Sequence, residues 1–130
     1  MEKFFIEASK NFAKSIGAEI NHCNEEVNNG FISEIDIRGD ENLNIFLILP
    51  KDVLDSVSEL LFGDTDYDIE DLAKEIANLI VGNAKVLASE ENIHFDITTP
   101  KFLTDINIDY DKKLNLSIND KCFSILFKEV

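Results

Sequence analysis

Asp71, Glu75, Asn78 and Gly82 are spaced so that a helix would set all four on one narrow stripe. At about 100° per residue their side chains fall within an arc of roughly 60°. Leu72, Ile76, Leu79 and Asn83 lie to one side of that arc, and Ala73, Ala77, Val81 and Ala84 lie beyond its other edge. A helix that is apolar nearly all round is expected to be largely buried. A carboxylate and a carboxamide kept one turn apart on such a helix need a reason, and catalysis is one. Asn83, on the apolar side, is expected to be a satisfied core amide.

The spacing alone says little. E-x-x-N occurs four times, at Glu25/Asn28, Glu26/Asn29, Glu41/Asn44 and Glu75/Asn78. Thirteen Glu and thirteen Asn in 130 residues give roughly one such pair by chance. The first three pairs fall in polar segments that read as strand ends and turns. Only Glu75/Asn78 lies in a long helical pattern, where positions three apart share a face. Context selects it.

The element that must carry the stripe is a helix from about Ile69 to Ser89. Asp68 is suited to cap it, and its acidic first turn agrees with the helix dipole. Before it, Phe4, Phe5, Ala8, Phe12 and Ile16 repeat at helical spacing over residues 2–16, with Gly17 as the stop. Residues 19–27 suggest a first strand, and Asn28-Asn29-Gly30 a hairpin turn. Phe31, Ser33, Ile35 and Ile37 alternate with polar residues, and Asn44 to Pro50 is a short, almost wholly apolar strand. A second helix follows from Lys51 to Phe62, with Val53, Val57, Leu60 and Leu61 as its apolar positions, Pro50 in its first turn and Gly63 at its end. After the long helix, residues 93–99 form a strand that Pro100 interrupts. Phe102 to Tyr110 has no clear pattern. Leu114 to Ile118 and Cys122 to Phe127 form a hairpin around Asn119-Asp120. Helix, strands, two helices and strands, joined by hairpin turns, predict an α+β fold: a mainly antiparallel sheet with helices packed on it.

Composition sets outer bounds. The length and a 45% hydrophobic content with ten Phe fit one packed domain over residues 1–130. Twelve basic against twenty-six acidic residues give a formal charge of −14. Nucleic acid and anionic membrane surfaces are poor partners for such a chain, because both need clustered Lys and Arg. Cys23 and Cys122 form no metal spacing with each other or with His22 and His94, and are expected to be reduced thiols in a cytoplasmic protein. The first residues lack the long apolar run of a signal peptide, and no run is long enough to span a membrane.

The stripe within EIANLIVGNA, with the strand hairpin and Pro50 before it and Thr98-Thr99-Pro100 after it, resembles the CheC/CheX/FliY chemotaxis phosphatases. It is most similar to the CheX type, which carries one such motif. Glu7 and Asn11 in the first helix stand four apart, which departs from the motif, so no second site is expected. The resemblance implies a phosphatase that hydrolyses the phosphoaspartate of a CheY-like receiver domain. Asn78 would orient the attacking water and Glu75 would contact the receiver's active-site lysine. Asp71 and Gly82 would border the partner, with Asp71 also serving as a first-turn acid. No cofactor of its own is implied, since the Mg²⁺ would belong to the receiver. The family also permits a homodimer, through an exposed edge of the C-terminal hairpin. Two other functions fit the same sequence: a receiver-binding or flagellar-switch adaptor without catalysis, and an unrelated acidic interaction module.

Overall fold

The computed structural model describes residues 1–130. Three helices, α1 (Glu2–Ser15), α2 (Lys51–Phe62) and α3 (Ile69–Glu90), pack on one face of a sheet. Its strands are β1 (Ile20–His22), β2 (Phe31–Gly39), β3 (Leu43–Leu49), β4 (Phe95–Ile97), β5 (Lys101–Leu103), β6 (Lys112–Ile118) and β7 (Lys121–Glu129). Their order is β1-β6-β7-β3-β2, with β4 and β5 sharing the far edge of β2, and every pairing is antiparallel. The α+β architecture expected from the sequence is the one observed.

Two turns are built as their residues require. Asn119 and Asp120, at φ 47° and 68°, close the β6–β7 hairpin, the left-handed geometry that Asn and Asp tolerate best after Gly. The Asn28-Asn29-Gly30 turn does something else. β1 ends at His22 and pairs with β6, so residues 23–30 do not join two neighbouring strands. They cross the sheet to reach β2, and Val27 is buried on the face that the helices leave open. Gly30, at φ 147° just before β2, lies so close to the end of β3 that a β-carbon would stand 2.9 Å from Leu49 C and Pro50 N. Close approach, rather than a hairpin, is what calls for glycine there.

The same crossing corrects the expectation for the cysteines. Cys23 and Cys122 form a disulfide, with Cα atoms 5.8 Å apart. β1 lies beside β6, and β6 turns back into β7 at Ser117 and Cys122, so the sheet brings together two thiols 99 residues apart. The hairpin edge expected to be free is also largely occupied. β7 lies inside the sheet, β1 covers Leu116 to Ile118, and Cys23 N donates to Asn115 O at 3.2 Å. Only Lys112 to Leu114 remain open along the outer edge of β6.

The main core lies between helices and sheet, around Phe5, Ile35, Ile45, Leu54, Ile76, Ile80 and Ile125. A smaller cluster of Val27, Ile32, Phe46, Ile48 and Leu126 lies on the other face, where Ile106 and Ile108 of the strand-free segment after β5 pack onto it. Glu34 stands on that second face, opposite Phe46 on β3 and Lys101 on β5. Burial, reinforced by the neighbouring Asp36 carboxyl, pushes its pKa from 4.5 up to about 7. The folded chain therefore holds a proton at Glu34 that the unfolded chain has already released. The stability this contributes is fully present below about pH 4.5 and is lost as pH rises through about 7. Urea midpoints of wild type and Glu34→Gln, compared at about pH 5 and about pH 8, should diverge in favour of the Gln protein at the higher pH.

Candidate active site

α3 begins as its sequence requires. Asp68 accepts a hydrogen bond from Asp71 N at 3.0 Å, and Glu70 and Asp71 fill the first turn. Leu72, Ala73, Ile76, Ala77, Ile80, Val81, Ala84 and Ala88 are buried against the sheet and α1. That packing fixes which way the helix is turned, and it turns the polar stripe outwards. Asp71, Glu75 and Asn78 are all exposed and Gly82 is half-buried.

Neither the Glu75 nor the Asn78 side chain is engaged by its own subunit. Lys74, the nearest cation in sequence, is paired with Glu70 at 2.7 Å. The Asn83 amide oxygen accepts from Asn11 Nδ2 of α1 at 2.9 Å, so Asn83 joins two helices at the half-buried margin instead of entering the core. Asn11 is thereby engaged in that helix–helix pair. At its centre the stripe thus presents a free carboxylate and a free carboxamide one turn apart, held on a helix packed into the core.

Gly82 sharpens this picture. A β-carbon built on it meets nothing within 4 Å, so no packing inside the domain demands glycine. Its φ is not left-handed either. Mid-helix glycine still costs about 1 kcal/mol relative to Ala. Within this subunit nothing offsets that cost.

Beside the stripe lies a groove of about 650 Å³ between the end of α2 and the first half of α3, lined partly by Leu61, Phe62, Asp71, Glu75 and Leu79. Its wall is braced by Tyr67, whose hydroxyl donates to Asp55 Oδ1 at 2.7 Å, and by Lys51, paired with the same carboxylate at 2.7 Å. Those two contacts, Lys51 first, hold the Asp55 carboxyl below its ordinary value. Leu60 and Leu61, apolar positions of α2, are 41% and 38% exposed, unlike Val53 and Val57, which are buried. Leu60-Leu61-Phe62 cannot all lie on one helix face, and that run was the available sign. No three His, Cys, Asp or Glu side chains come together in a group that could hold a metal ion, and no helix is long and apolar enough to cross a membrane.

Solved structures of chemotaxis proteins share this fold. CheX from Desulfovibrio desulfuricans superposes with a TM-score of 0.78 at 22% identity, covering 98% of this chain and 97% of that one. A CheC-like superfamily protein from Shewanella sp. PV-4 gives 0.72 at 18% identity, over 97% and 96% of the two chains. CheX from Borrelia burgdorferi, solved as a CheX–CheY–BeF3–Mg²⁺ complex, gives 0.68 at 18% identity, over 98% and 97%. Residues 31–128 match the family model of the chemotaxis phosphatase CheX. The chain belongs to the CheX family. No curated protein matches it in sequence.

Proposed function

We propose that this chain is a cytoplasmic phosphatase that hydrolyses the phosphoaspartate of a CheY-like receiver domain and so terminates a chemotaxis signal. The observation that carries this reading is the exposed, unengaged pair Glu75 and Asn78 on a helix otherwise committed to the core. The Borrelia relative bound to CheY with BeF3 and Mg²⁺ supports a receiver as the partner. Phosphoryl transfer has a loose transition state, so catalysis is chiefly positioning and charge stabilisation. Asn78 fits the positioning role: its amide donates and accepts at once and stays neutral. It would stand beside the phosphoryl group and hold the attacking water in line. Glu75 would pair with the receiver's lysine and set the register of the two proteins. The Mg²⁺ belongs to the receiver and neutralises charge on the phosphoryl oxygens there.

The cysteine pair stands apart from this chemistry. Cys122 packs against the cluster on the sheet face away from α3.

The test is phosphate release from an isolated phosphorylated receiver, with and without the chain. Acceleration supports the enzyme. Binding without acceleration would make the chain an adaptor, and failure to bind any receiver would make it an unrelated acidic module. Gly82→Ala adds a second expectation. With open space at the β-carbon, the substitution should raise stability by about 0.5–1 kcal/mol. It should also weaken binding to a beryllofluoride-loaded receiver, because the methyl group occupies surface the partner approaches. A melting temperature that rises with affinity unchanged would remove Gly82 from the interface.

A further inference from the structure

The groove beside α3 borders the proposed site, but the chemistry above leaves most of it unused. Its apolar surface is conspicuous: Phe62 is 61% exposed at the end of α2, and Leu79 is 44% exposed across from it. Its polar lining has one sign. Asp66, Asp68, Asp71 and Glu75 line it, and no basic side chain does. The groove is also continuous with the stripe, because Glu75 belongs to both. Leu79 follows Asn78 directly and stacks one turn beyond Glu75. A protein that reached both polar residues would therefore overlie Leu79.

We propose that this groove is a docking surface for the receiver domain itself, taking a segment in which an apolar side chain is flanked by lysines or arginines. The proposal rests on the phosphatase reading and extends it from catalysis to partner choice. Charge complementarity identifies the occupant. An apolar anchor between Phe62 and Leu79 supplies affinity, and the acidic rim steers a basic surface and repels an acidic one. A second copy of this chain is the wrong occupant, since its formal charge is −14. Receivers that share the phosphoaspartate and its lysine look alike to Glu75 and Asn78. A surface off the stripe can tell them apart.

The experiment uses the full chain and CheY-like receivers loaded with beryllofluoride and Mg²⁺, with Kd measured by calorimetry. Phe62→Ser and, separately, Leu79→Gln should each raise Kd about tenfold or more and raise KM for the phosphorylated receiver. Both side chains are exposed, so the melting temperature should hold, and two variants guard against a local effect of either. Asp66→Asn combined with Asp71→Asn should flatten the salt dependence of association. Folded variants that both keep Kd within about twofold of wild type overturn the docking surface. The phosphatase reading would survive that result, because its own test is whether the wild-type chain speeds phosphate release. A wild-type chain that neither binds receivers nor speeds phosphate release overturns both.

Discussion

Phosphate release from a phosphorylated receiver should slow by about 10²-fold when Asn78 is replaced by alanine, the scale set by losing the alignment of a reacting group. The rate should fall back toward that of the receiver alone. Affinity should hardly change, because an orienting amide acts mainly in the transition state and its loss appears in turnover before it appears in binding. Folding gives no competing explanation. Asn78 is exposed and makes no contact its own subunit depends on, and alanine is the better helix former. The melting temperature should stay level or rise while turnover collapses. Turnover unchanged in a folded Asn78→Ala protein would end the water-orienting assignment.

Glu75 should show the opposite split. Glu75→Gln keeps the volume and much of the hydrogen bonding but removes the charge, leaving the partner's lysine in the interface without its counter-ion. In a desolvated interface that costs about 2–5 kcal/mol. Glu75→Lys should be worse, since it sets like charges against each other at the point of contact. Because Glu75 is exposed on a helix, Gln and Lys should be accepted without loss of helix propensity. Affinity for a beryllofluoride-loaded receiver, measured by calorimetry, should fall in the order wild type, Gln, Lys at a nearly constant melting temperature. If Glu75→Lys binds as tightly as wild type, the pairing with lysine is wrong.

Local signals carried far in this chain. α3 was legible end to end because its cap, acidic first turn and apolar period agree, and the β6–β7 hairpin was legible from Asn119-Asp120. The exposure of Glu75 and Asn78 followed from that same period, since only one face was left for them. What escaped depends on partners distant in sequence. The shortness of β1, its pairing with β6 and the Cys23–Cys122 link come from strands that meet only when the sheet closes. Leu60 and Leu61 fit a helical repeat, but the repeat cannot say that α2 ends before reaching cover. Asn83 lay toward the apolar side as expected, yet the neighbour that satisfies it, Asn11, sits on another helix. The open space at Gly82 is likewise a property of its surroundings.

Because Glu75, Asn78 and Gly82 contribute nothing to holding the chain together, their loss would leave folding untouched. A relative in which Asn78 had drifted while Glu75 and Gly82 stayed would still fold, accumulate and present the same helix to its surroundings. Such a protein could occupy a receiver without discharging it, or shield it from an active competitor. The fold therefore does not police its own activity. Within a genome carrying several chains of this architecture, the residues at these three positions, rather than overall similarity, should divide those that end a signal from those that only attend it.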